Sequence, residues 1–122
     1  MSTEPLIAAI DDDESFRVAL IHSLSSLEYS ARGFASAEEF FAGGGIETYD
    51  CVITDIHMPG MSGFDLMRRL LAHHSGVPVI MITAHVEPEL EARAAAIGAV
   101  CLLRKPFEME ALARCLERAL KV

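Results

Sequence analysis

The chain has 122 residues, 52% of them hydrophobic, with 18 acidic against 10 basic residues and a formal charge of -8. That length supports one core and therefore one domain, residues 1–122. The acidic balance argues against a phosphate-backbone partner, because nucleic-acid binders present clustered Lys and Arg.

Leu6 to Ile10 is a nearly continuous apolar run, and three more follow at Cys51 to Thr54, Pro78 to Thr83 and Val100 to Leu103. Runs without polar alternation suit strands covered on both faces. The segment Glu14 to Leu27 has helical period and sets Phe16, Ala19, Leu20, Leu24 and Leu27 on one face, which predicts a helix packed on the sheet. Tyr29 to Phe34 is a weaker strand, in which Tyr29, Ala31 and Gly33 alternate with Ser30, Arg32 and Phe34; it is expected at an edge. Ser36 followed by Glu39 predicts a capping box for a short helix through Phe41, which Gly43-Gly44-Gly45 ends. Helices are expected over Gly63 to His73 and over Pro88 to Ile97, the second with Pro88 in its first turn and Gly98 just past its end. The last, Phe107 to Leu120, presents Ala111, Leu112, Cys115, Leu116 and Ala119. Strand and helix thus alternate five times, which specifies a parallel sheet with helices on both sides. For five such units the flavodoxin-like, doubly wound strand order 2-1-3-4-5 is expected.

Cys51, Cys101 and Cys115 are odd in number, lie far apart and form no CxxC pair, so they are expected to be reduced core thiols rather than a disulfide framework or zinc site. Met1-Ser2-Thr3-Glu4-Pro5 lacks the profile of a signal peptide, and no apolar stretch approaches the roughly 20 residues of a membrane-spanning helix. A soluble, cytoplasmic protein without membrane association is the expectation.

The polar residues fall where the strands end: Asp11, Asp12 and Asp13 after the first, Asp55 after the third, Thr83 at the fourth and Lys105 at the fifth. In an open α/β sheet ligands bind beyond these carboxyl ends. Singly, each residue has an ordinary reading: aspartates cap helices, Thr83 is a strand residue and Lys105 a surface lysine. Asp13 is expected to be such a cap. Capping does not account for Asp55 across the same rim, because gathered carboxylates repel one another unless a cation joins them. A hard, oxygen-ligated ion, Mg²⁺ or Mn²⁺, resolves the conflict. A carboxylate beside such an ion, a hydroxyl and a lysine suits phosphoryl acceptance, which is mostly positioning and neutralisation of charge. Asp55 would be the nucleophile, with the metal, Lys105 and the Thr83 hydroxyl each on a phosphoryl oxygen.

The segments Ile10-Asp11-Asp12-Asp13, Asp55-Ile56-His57-Met58-Pro59-Gly60-Met61-Ser62-Gly63, Ile82-Thr83-Ala84-His85, and Gly98-Ala99 through Lys105-Pro106-Phe107 resemble receiver domains of two-component response regulators, most of all the FixJ-like group of transcriptional regulators. The resemblance spans nearly the whole chain. It implies phosphorylation of Asp55 by a histidine kinase or phosphotransfer protein, and Mg²⁺ held by Asp11, Asp12, Asp55 and the backbone carbonyl of His57. It further implies phosphoryl contacts and switching through Thr83, Ala84, Lys105 and a fifth-strand residue, and a cis peptide between Lys105 and Pro106. The fifth-strand position, usually Tyr or Phe, is Leu102 here, so ring reorientation cannot operate in the usual way. The output domain of the family is absent from the chain, leaving a stand-alone receiver or the N-terminal part of a regulator.

Of the five histidines, His22, His73 and His74 have no metal-ligand pattern and are expected to be structural, the last two at a helix end that suits partial positive charge. His57 and His85 follow Asp55 and Thr83 by two residues each; they either tune the lifetime of the phosphoryl group or are solvated loop residues. Met58 and Met61 are read as loop packing. The surface of the fourth helix, fifth strand and fifth helix, with Glu87, Glu89, Glu91, Arg93 and Arg104, is expected either to pair in a two-fold dimer or to be merely solvated. Two competing functions are an Asp-nucleophile phosphatase or dehalogenase, for which no cap insertion and no general acid other than His57 is present, and a degenerate interaction module, which a complete acidic set argues against.

Overall fold

A computed structural model of the chain describes residues 4–121; Met1 to Thr3, part of the segment tested for a leader, and Val122 lie outside it. The elements are β1 (Leu6–Ile10), α1 (Glu14–Ser26), β2 (Ser30–Phe34), α2 (Ala37–Ala42), a 3-10 turn (Ile46–Thr48), β3 (Cys51–Asp55), α3 (Gly63–Ala72), β4 (Val79–Thr83), α4 (Pro88–Ile97), β5 (Cys101–Arg104) and α5 (Met109–Leu120). Every strand pairing is parallel and the order is β2-β1-β3-β4-β5, as the alternation of elements predicts.

Three of the continuous apolar runs are the central strands β1, β3 and β4, with two covered faces, whereas the fourth run forms β5, an edge strand that is only partly buried. Ala8, Ile10, Val52, Val79 and Met81 join Phe40, Phe64, Leu70 and Leu90 in one core beneath α2, α3 and α4. Their neighbours Ile7, Ala9, Ile53, Ile80 and Ile82 join Leu20, Leu24, Leu112 and Leu116 in the other, beneath α1 and α5. Successive strand residues point to opposite faces, so a strand with no polar partner residue has two cores to fill. Burial pushes the thiols of Cys51 and Cys115 up to about 12, as unreactive core groups.

Several local expectations change in three dimensions. Ala19 is exposed, because α1 leans over the edge strand and Ile21 reaches Gly33 in its place; a Cβ on Gly33 would lie 2.8 Å from Ile21 Cδ1. Only half of the box at Ser36 forms: its hydroxyl accepts from the Glu39 N–H, while the Glu39 carboxylate accepts from Ala35 N–H instead of Ser36. A complete capping box occurs at Ser62 and Asp65, starting α3. Phe107 precedes α5 rather than opening it, since its ring packs edge to face on Phe16 with centroids 5.9 Å apart. Tyr29 lies just outside β2.

The start of α3 sits tightly on the end of β3. The Gly63 N–H donates to Ile56 O at 2.9 Å, and a Cβ on Gly63 would meet the Asp55 carbonyl oxygen at 2.7 Å and Ile56 Cα at 3.0 Å. Both obstacles are backbone and cannot rotate away. Gly63→Ala is expected to destabilise the domain by about 1–3 kcal/mol, seen as a lower urea midpoint. Gly76→Ala, which meets nothing within 4 Å, should show no loss.

Candidate functional site

Strand register brings the polar residues together. Ile10 pairs with Thr54, so Asp11 and Asp55 come next on adjacent strands, and Asp55 itself pairs with Ile82, one residue before Thr83. Each strand reaches the rim only after its apolar run is spent, which is why polar side chains cluster at one end of an otherwise apolar sheet.

Asp11 is fully buried, Asp55 nearly so, Thr83 is buried and Asp12 is exposed. Carboxylate oxygens of Asp11, Asp12 and Asp55 lie within 4.8 Å of one another. Lys105 Nζ donates to Asp11 Oδ2 at 2.8 Å and lies 3.6 Å from Asp55 Oδ2. Burial raises the pKa of Asp55, the charge on Asp11 raises it further, and the Lys105 ammonium opposes both without prevailing. Burial works against the charge on Lys105, but its hydrogen bond to Asp11 and the Asp55 carboxylate outweigh that cost and its pKa is raised.

Three negative charges therefore face one positive charge. Every donor in the cluster is a hard oxygen, Asp55 ends β3 and Asp11 directly follows β1, so the set fits a small divalent cation such as Mg²⁺. Asp13 stands apart as the N-cap of α1, accepting from the Phe16 N–H at 3.2 Å. Thr83 Oγ1 accepts from the His85 N–H at 3.0 Å, Ala84 is exposed beside it, and Lys105-Pro106 is cis with Pro106 exposed. Leu102 is not at the rim; it is partly buried against the core that contains Leu90 and Ala94. His57 and His85 are exposed at the mouth, their ring centroids 4.0 Å apart.

Supporting contacts emerge that periodicity does not indicate. Glu38 on α2 accepts from the Met61 N–H at 2.9 Å and so braces the loop after Asp55. Arg17 donates to the Asp11 carbonyl at 2.6 Å, and Phe16 places its ring 4.1 Å from Lys105 Nζ. Arg93 lies with its guanidinium 4.2 Å from the Phe64 ring, engaged with α3 rather than available with Glu91 and Arg104 on the α4-β5-α5 face.

A doubly wound sheet whose carboxyl rim gathers an acidic, cation-seeking pocket around one lysine is the architecture of a phosphoryl-accepting signalling domain. The sequence profile of the response regulator receiver domain matches residues 7–117. FixJ, a transcriptional regulatory protein of Bradyrhizobium diazoefficiens, is 34% identical over 121 residues, covering 99% of this chain and 59% of that protein. The solved FixJ-N structure superposes with a TM-score of 0.88 at 30% identity, covering 98% of this chain and 96% of that one. The chemotaxis protein CheY4 of Vibrio cholerae does so with 0.85 at 31% identity, covering 97% and 100%. The chain belongs to the response regulator receiver family, the phosphorylation-accepting domains of two-component signal transduction. It spans little more than half of the FixJ relative. Among the described residues no helix is long and apolar enough to cross a membrane.

The raised pKa of Asp55 fixes a sign. An acid whose pKa is higher folded than unfolded costs stability once pH rises through its unfolded value, and the full cost is felt above the folded value. At neutral pH in chelator, Asp55→Asn is therefore expected to raise the Tm, by a few degrees. Added Mg²⁺ should raise the Tm of the wild type and move the variant less.

Proposed function

We propose that Asp55 is the phosphoacceptor of this receiver. The observation that carries the reading is the convergence of three carboxylates within 4.8 Å around a lysine that contacts two of them. A carboxylate oxygen of Asp55 forms the new P–O bond as the P–N bond of a phosphohistidine donor breaks. The leaving imidazole keeps the electron pair and takes a proton from water, and Asp55 becomes a mixed anhydride. A divalent cation, Mg²⁺ or Mn²⁺, on Asp11, Asp12, Asp55 and the His57 backbone carbonyl would supply neutralisation of phosphoryl charge. Lys105 holds a second phosphoryl oxygen, exchanging part of its hold on Asp55, and the Thr83 hydroxyl and the backbone at Ala84 hold a third. The domain works in the cytoplasm and catalyses only its own phosphorylation and hydrolysis; the donor is a histidine kinase or phosphotransfer protein.

Output proceeds from Thr83 to the α4-β5-α5 face. Moving the Thr83 hydroxyl toward the phosphoryl group breaks its bond to the His85 N–H and frees the start of the loop before α4. Leu102, packed against the Leu90 and Ala94 core, is the fifth-strand residue positioned to follow. It has no hydroxyl to exchange, so the two states differ in apolar packing and backbone position. Glu91, Leu102 and Arg118 border a groove on this face, with Arg104 exposed on β5, an arrangement suited to reciprocal ion pairs in a two-fold dimer.

Incubation with acetyl phosphate and Mg²⁺ is expected to add one phosphoryl group by intact mass, abolished in Asp55→Asn and in excess chelator. Labelling that persists in Asp55→Asn would overturn the assignment. Phosphorylated protein should shift to a larger species in size measurements, and Arg104→Glu should weaken that shift several-fold.

A further inference from the structure

Beside the acidic rim lies a second cluster of metal-ligating side chains with different chemistry. His57 stands on the loop after β3, His85 on the loop after β4, and Glu87 is the N-cap residue of α4. The two imidazole rings are 4.0 Å apart between centroids and tilted by 41°, and His57 Nε2 is 3.8 Å from Glu87 Oε1. One donor atom from each of the three side chains lies within 4.8 Å of the other two.

This cluster has no structural duty that explains it. Glu87 makes no side-chain capping bond to α4, although it occupies the cap position. At 3.8 Å the contact of Glu87 with His57 is too long for a hydrogen bond. All three residues are exposed, so burial in a core does not account for the close approach of the two tilted rings. His73 and His74, adjacent in sequence at the opposite end of the sheet, form no such group with a carboxylate among the described residues.

We propose that His57, His85 and Glu87 form a binding site for a borderline divalent transition-metal ion, with Zn²⁺ as the type. Two imidazole nitrogens and one carboxylate oxygen are the donor set of many three-ligand zinc centres, which leave a fourth position for water. Donors about 2.0–2.1 Å from a tetrahedral ion lie about 3.3 Å from one another, so closing the present spacing needs only rotation of exposed side chains. Nitrogen donors also separate this site from its neighbour, because Mg²⁺ selects oxygen ligands whereas imidazole favours Zn²⁺, Cu²⁺ and Ni²⁺. The Zn²⁺ site uses the His57 side chain, leaving its backbone carbonyl free. An ion here ties the loop after β3 to the loop before α4 across the mouth of the acidic pocket. The binding itself stands whether or not Asp55 accepts a phosphoryl group.

Calorimetric titration of the whole chain with Zn²⁺ in saturating Mg²⁺, repeated with Co²⁺ to read coordination from its visible spectrum, tests the proposal. One saturable equivalent is expected. His57→Ala and His85→Ala should each weaken it at least tenfold and Glu87→Gln measurably, while Asp12→Asn and His73→Ala leave it within twofold. Circular dichroism should show all variants folded, since every substituted side chain is exposed. Absence of saturable binding would overturn the proposal, as would binding indifferent to both His57→Ala and His85→Ala. Binding lost in Asp12→Asn would place the ion in the acidic pocket instead and overturn it equally.

Discussion

The repulsion among Asp11, Asp12 and Asp55 is the constraint around which this domain is organised. Two of the three carboxylates are buried at the ends of adjacent parallel strands, whose pairing fixes the separation of their backbones. One lysine ammonium compensates part of the charge and leaves a net negative pocket. Such a pocket is costly as a structural feature and useful as a receptor for positive charge. That imbalance favours a cation, and a cation in turn makes the approach of a phosphoryl group feasible.

The surrounding fold holds this arrangement against its own repulsion. Gly63 lets α3 start against the backbone of Asp55, Glu38 pins the intervening loop at Met61, and Arg17 secures the Asp11 carbonyl. Phe16 and Phe107 pack together beside Lys105, restricting where its long side chain can go. The sheet supplies rigidity from two cores, while the loops beyond β3 and β4 carry exposed groups beside the pocket. Thr83 joins the two: its backbone ends a buried strand and its hydroxyl accepts from the His85 N–H of the exposed loop that follows.

The placement of His57 and His85 gives the same two loops a second means of being joined. The ring of His57 lies against His85 and Glu87, two residues along the chain from Asp55 of the oxygen-rich pocket. The paired rings come from loops that follow neighbouring strands, and each lies two residues beyond a residue of the acidic site. Parallel pairing of β3 with β4 makes that equal offset a spatial coincidence as well as a sequential one.

The five strands, the five helices and their alternation were legible in the sequence, because continuous apolar runs and helical period are local consequences of which faces must be buried. The rim residues Asp11, Asp12, Asp55, Thr83 and Lys105 were legible for a related reason: each stands at the end of an apolar run or within two residues of it. Asp13 as a cap and Gly98 as a helix end follow equally local rules. Tertiary structure alone decided that α1 leans toward β2 and exposes Ala19, that Glu39 turns to Ala35, and that Arg93 lies on Phe64. It also decided that Glu38 reaches Met61 across 23 residues and that His57, His85 and Glu87 share one small space. Periodicity records which side of an element is buried, whereas these contacts depend on the angle and register with which elements meet, and that information exists only once both cores have closed.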